Sequence, residues 1–153
     1  MQQTTDPIAA SGGTLEMESM SITLLAMAAA AGLTPDTAVG RWKTETRNGI
    51  VEIARCGQSL CGKLTGSDGI TANPGLKDVN NKDVAQRGRV LKGIQMLSGF
   101  KWEGDAWTGG SIYNAEDGKT YDAKITMVDA NTLKLRGCIF VPLCKNQTWH
   151  RVR

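Results

Sequence analysis

Between Trp107 and Met127 two alternating runs flank the polar stretch Asn114-Ala115-Glu116-Asp117-Gly118. After that stretch Tyr121, Ala123, Ile125 and Met127 fall on one face, and Asp122, Lys124 and Thr126 on the other. A two-residue period of this kind is the mark of a half-buried antiparallel strand. Asn and Asp favour a type I turn, and Gly118 can take the left-handed position that closes it. The spacing therefore predicts a hairpin in which Asp117 and Gly118 are structural.

The same reading extends along the chain. Gly40–Thr46 alternates, with Trp42 and Thr44 on one face and Lys43 and Glu45 on the other. Asn48-Gly49 is a hairpin turn pair, leading to a strand over Ile50–Cys56 with Val51 and Ile53 inward. Gly57-Gln58-Ser59 turns into a strand over Leu60–Gly66. Arg89–Gly99 fits a strand or a short helix, and the bracketing Gly93 and Gly99 favour a strand from Ile94. Phe100–Glu103 and Ala106–Tyr113 form a hairpin about Gly104-Asp105, with Gly109-Gly110 marking a bend or bulge. Leu133–Phe140 follows, Pro142 and Cys144 lie in its turn, and Asn146–Val152 closes the chain. Eight or nine strands at hairpin spacing predict an all-β fold, a sandwich or an up-and-down barrel.

Residues 67–89 break the alternation. A stretch this long and rich in turn formers is expected to be a lid, a binding loop or a mobile segment. Asp78-x-Asn80 has the opening of a calcium loop, but Lys82 stands at the third ligand position and no Gly follows, which argues against metal.

Residues 20–32 form an apolar run, too short to span a membrane, that ends in small residues. No Lys or Arg precedes it, and an Ala-rich first helix is the alternative to a secretory signal with Met20 as the start. The favoured division is an upstream extension and signal peptide over 1–31 and a single β-barrel domain over 34–153. The first 31 residues hold Asp6, Glu16 and Glu18 and no Lys or Arg, so the rest carries 18 basic against 15 − 3 = 12 acidic residues, a net +6. These charges are scattered, which does not argue for nucleic acid. Four cysteines allow three pairings; the local ones, Cys56–Cys61 and Cys138–Cys144, are preferred. No C-x-x-C occurs and His150 is the only histidine, so disulfides in an oxidising compartment are expected rather than a metal. The expected location is the periplasm or outside the cell.

Trp149 and Arg151 share a face of the last strand, and an inward arginine needs a partner. Closing the sheet would set the last strand beside the first, laying Arg151 over the Trp42 indole with its donors on backbone carbonyls at the closed end. This pairing resembles the signature of the lipocalin-like superfamily, the calycins. A longer series covers almost all of the chain after the apolar run. It comprises Gly40-Arg41-Trp42, Cys56-Gly57-x-x-Leu60-Cys61-Gly62, Asp78-Val79-Asn80-Asn81 with Arg87-x-Arg89, and Gly93-Ile94-x-Met96-Leu97. It continues with Trp107-x-Gly109-Gly110-x-Ile112-Tyr113, Glu116-Asp117-Gly118-Lys119-Thr120-Tyr121, Leu135-Arg136-Gly137-Cys138 and Gln147-Thr148-Trp149-x-Arg151. In this order the motifs resemble the bacterial secreted family known as domain of unknown function 2147. The resemblance implies a small exported calycin-like barrel with no established catalytic residues. Lys82 stands where that family often has Pro, and Asn114-Ala115 replaces a usual Asp-Pro.

No catalytic constellation emerges. His150 lies on the outer face of its strand, and oxidised cysteines are not nucleophiles. Asp117 with Asp122, or Glu116 with Asp117, are explained by turn chemistry and solvated strand charge. Binding is the better expectation, because a barrel of this size either holds a small ligand or fills with side chains. Trp107, Tyr113, Tyr121, Met96 and Met127 are candidate lining, and Arg87 and Arg89 a clamp for an anionic group at the mouth. The expected partner is a small apolar or amphipathic ligand or a cell-envelope component, with no cofactor; a filled interaction module is the alternative.

Overall fold

The computed structural model describes residues 32–153 together with Gly12 and Gly13. The expected extension and signal over 1–31 lie outside the described residues apart from those two glycines. The strands are β1 (Gly40–Lys43), β2 (Ile50–Cys56), β3 (Ser59–Gly66), β4 (Gln95–Ser98) and β5 (Lys101–Glu103), followed by β6 (Ala106–Asn114), β7 (Lys119–Asp129), β8 (Thr132–Phe140) and β9 (Leu143–Val152). One short helix, α1 (Asp68–Ala72), follows β3.

All pairings are antiparallel, in the order β4-β3-β2-β1-β9-β8-β7-β6-β5, and a β4–β6 ladder closes the ring. The result is an eight-strand up-and-down barrel with β5 as an extra strand. β4 and β5 lie end to end along β6: Leu97 faces Ile112, and Trp102 faces Trp107. The register of β6 against β7 shifts between Trp107 and Gly110, where Gly109 is left-handed (φ 65°). This bulge at the glycine pair lets β6 serve two strands on one edge.

The core follows the alternation. Tyr121, Ala123, Ile125 and Met127 of β7 point inward, and Ile125 and Met127 meet Leu135 and Leu133 across the ladder. Both expected disulfides are present, with Cα separations of 5.8 Å for Cys56–Cys61 and 4.0 Å for Cys138–Cys144.

Four details differ from the sequence reading. β1 stops at Lys43 rather than Thr46. The left-handed pair in the first turn is Arg47-Asn48 (φ 51° and 49°), closed by a bond from the Gly49 N–H to the Thr46 carbonyl, so the turn sits one residue before Asn48-Gly49. Asn48 is held there because its amide donates to the Asp68 carboxylate at 3.0 Å, and Asn tolerates the left-handed region. β9 begins at Leu143, which puts Cys144 in a strand opposite Cys138. Finally, 67–89 contains α1, N-capped by Ser67, and a 3-10 turn at Val84–Gln86.

Candidate functional site

The end of the barrel where β9 finishes is sealed by a 3-10 turn at Pro35–Ala38. Its carbonyls are collected by side chains of the strands. Trp42 Nε1 donates to Ala38 O at 2.8 Å and Trp107 Nε1 to Pro35 O at 3.2 Å. Arg151 donates to Val39 O and Ala130 O, each at 2.8 Å, and to Thr37 O. Its guanidinium carbon stands 4.3 Å from the centre of the Trp42 ring, to which it is also the cross-strand partner. The cation is thus satisfied by carbonyls and an indole face rather than by a carboxylate. A second such contact, Arg55 over Trp107 at 4.9 Å, lies beside it.

The opposite end is open. A cavity of about 660 Å³ runs into the barrel there. Leu64, Ile112, Leu135 and Trp149 supply its strand walls, and Leu76 and Leu91 cover it from the segment between α1 and β4. The strands also bring polar groups to it, namely Tyr113, Asn114, Tyr121, Lys145 and Gln147, and the rim loops add others such as Arg47, Asn80 and Glu116. Gln147 already accepts from Trp149 Nε1 at 2.8 Å. Lys145 forms no ion pair among the described residues.

The cover is pinned by one carboxylate. Asp78 is 1% exposed. Its Oδ2 accepts from Asn81 Nδ2 at 2.8 Å and from Arg89 Nε at 2.9 Å, with Arg89 Nη2 in ion-pair contact at 2.9 Å; its Oδ1 accepts from the Tyr113 hydroxyl at 2.6 Å. A buried charge is tolerable only when its oxygens are occupied in this way. Arg89 also lies 5.2 Å from the Tyr113 ring centre. Burial, then the bond to Asp78, pushes the Tyr113 phenol up to about 12, against the opposing pull of Arg89. Asn80 donates to the carbonyl of Glu116 at 3.1 Å, and Lys82 N–H to that of Gly118 at 3.3 Å, so the segment also grips the β6–β7 tip. The long stretch is therefore a fixed cover, with Asp78 serving as an anchor instead of a cation ligand.

Across the mouth lies a strap. The β1–β2 turn and the β6–β7 tip are half a ring apart in the strand order. Arg47 of the first nevertheless pairs with the Glu116 carboxylate of the second. Asp117 accepts from Lys119 N–H at 3.0 Å and from the Tyr121 hydroxyl, a bond that raises the Tyr121 pKa. Both rim carboxylates are thus engaged.

The candidate residues separate. Tyr113 and Tyr121 adjoin the cavity, as does Met96. Trp107 and Met127 do not; Trp107 is wholly buried at the sealed end, where the Pro35 carbonyl takes its N–H. Arg87 donates to Asn81 O at 2.8 Å and Arg89 is paired with Asp78, so both bond back onto the cover. Trp149 lines the cavity as well as supporting the fold. Sequence reading does not single out Arg47, Leu76 and Leu91, whose role depends on loops meeting across the ring, nor the strand residue Lys145, and it takes Glu116 as turn chemistry alone.

The family model "Uncharacterized protein conserved in bacteria (DUF2147)" matches residues 40–151. The chain belongs to this family. Among solved structures, the DUF2147 barrel is similar to protein HP1028 of Helicobacter pylori, described as belonging to the lipocalin family. The TM-score is 0.67 at 22% identity, over 75% of this chain and 82% of that one. The likeness establishes a lipocalin-like fold. No curated protein matches. The two positions at which the sequence departs from the resemblance are accommodated locally. Asn114 Oδ1 accepts from Glu116 N–H at 3.1 Å, which starts the hairpin turn without Asp-Pro. Lys82 keeps the N–H that a proline would lack and gives it to Gly118 O.

Proposed function

We propose that this barrel is an exported binding protein for a small, partly apolar ligand held in its open end. The observation that carries the reading is the cavity of about 660 Å³, which falls in the size range of small-molecule sites. Its walls offer Leu64, Ile112, Leu135 and Trp149 to an apolar body, and Lys145 and Tyr121 to a polar end near the rim. A filled interaction module would need no such space. Binding also suits the rim chemistry better than catalysis does, since Asp117 and Glu116 are engaged and His150 is exposed. Two disulfides are consistent with a periplasmic or extracellular protein and support export.

The test is native purification followed by mass spectrometry of whatever small molecules remain bound, paired with displacement of an environment-sensitive apolar dye. An amphiphile retained by the wild type and lost in Ile112→Trp, with the melting profile preserved, is the expected result. A dye that binds both proteins equally, with nothing co-purifying, would remove the cavity as a ligand site.

A further inference from the structure

The hairpin tips of the barrel are made of Gly57-Gln58, Gly104-Asp105, Asn114–Gly118 and Ala130-Asn131, all ordinary polar turn sequences. The β8–β9 tip is different. Ile139, Phe140, Val141 and Leu143 are 54–76% exposed, and Pro142 completes five apolar residues in a row. They account for four of the nine large apolar side chains exposed among the described residues. Single exposed apolar residues are normal, but a contiguous group marks a surface that is covered in use.

Its position narrows the partner. Ile139 and Leu143 also line the cavity mouth, so the patch is continuous with the opening. Cys138 and Cys144 bridge its base, which holds the tip outward and limits its folding back into the opening. Beside the bridge, exposed Arg136 and Lys145 belong to β8 and β9, and neither is ion-paired among the described residues. The domain after the apolar run carries a net +6. An apolar projection above basic side chains is complementary to a bilayer that has acyl chains beneath anionic headgroups.

We propose that Ile139–Leu143 seats the mouth of the barrel on an anionic lipid surface. Phe140 and Val141 enter the interface while Arg136 meets the headgroups. Docking this way would place the opening against the lipid. The proposal rests on the rim and holds whatever the cavity contains.

The probe is sedimentation with vesicles of phosphatidylcholine alone or mixed equally with phosphatidylglycerol. The wild type should sediment with the mixed vesicles, less with the neutral ones, and less again as salt rises. Phe140→Ser combined with Val141→Ser should weaken binding by about tenfold or more, since two large apolar groups leave the interface. These side chains are exposed, so the variant's melt and its apolar-dye binding in solution should match the wild type. Failure of dye binding would strike the ligand reading and leave docking intact. No sedimentation with either vesicle, or equal sedimentation of wild type and variant, would overturn the proposal. So would a loss of self-association as the variant's only change, since that would make the tip a contact between copies.

Discussion

A Cβ built on Gly40 would lie 2.3 Å from Nη1 of Arg151. Gly40 also has φ 139°, a conformation that side chains rarely adopt. The guanidinium must pass over this position to reach Val39 O, which explains a glycine two residues before Trp42. Gly40→Ala is expected to cost roughly 2–4 kcal/mol through strain and displacement of the arginine. An unchanged midpoint in a urea melt would mean that the arginine has another route to its carbonyls.

Trp42 and Arg151 should be energetically coupled. Trp42→Ala removes a fully buried indole and should cost about 3–5 kcal/mol. Arg151→Ala should be of similar size, because it leaves the Thr37, Val39 and Ala130 carbonyls without this donor. The double variant should fall short of the sum by about 1 kcal/mol or more. Simple addition in a double-mutant cycle would show that the stacking carries no energy.

High pH should loosen the cover. The Tyr113 phenol ionises near 10.0 when unfolded and at about 12 when folded. Its contribution is therefore complete below pH 10 and is lost as the pH rises through about 12. Tyr113→Phe, which removes a donor from buried Asp78, should cost about 1–2 kcal/mol at neutral pH. The gap between wild type and variant should narrow over that alkaline window. A gap that stays constant with pH would separate Tyr113 ionisation from stability.

The Arg47–Glu116 strap should affect rates more than stability. The pair is exposed, so Glu116→Gln should change stability by less than about 1 kcal/mol. Dye entry and exit, followed by stopped flow, should both accelerate several-fold with little change in affinity. Added salt should speed the wild type and leave the variant nearly unaffected. Equal rates in wild type and variant would mean that ligand passes elsewhere.

What the sequence shows of this barrel is what lies in local alternation. β2 spans Ile50–Cys56 as read, Gly118 is left-handed as its turn requires (φ 70°), and both disulfides join neighbours in sequence. The site was harder to read because its order comes from distant partners. Asp78 and Tyr113 are 35 residues apart, and Arg47 and Glu116 are 69 apart. Nothing in the composition of 67–89 reveals that its arginines bond back onto Asn81 and Asp78 and so hold the cover together. Trp107 was misplaced for a related reason: alternation puts it inside the ring but cannot say at which end. The apolar run between Cys138 and Cys144 was visible, and its exposure became informative only once the other tips proved polar.

The direction of β9 has a practical corollary. It carries the chain from the open end to the sealed one, so Arg153 emerges at the base. An affinity handle fused after Arg153 would suspend the molecule like a cup on its stem, brim outward, leaving the brim accessible to solutes or a supported bilayer on a sensor chip.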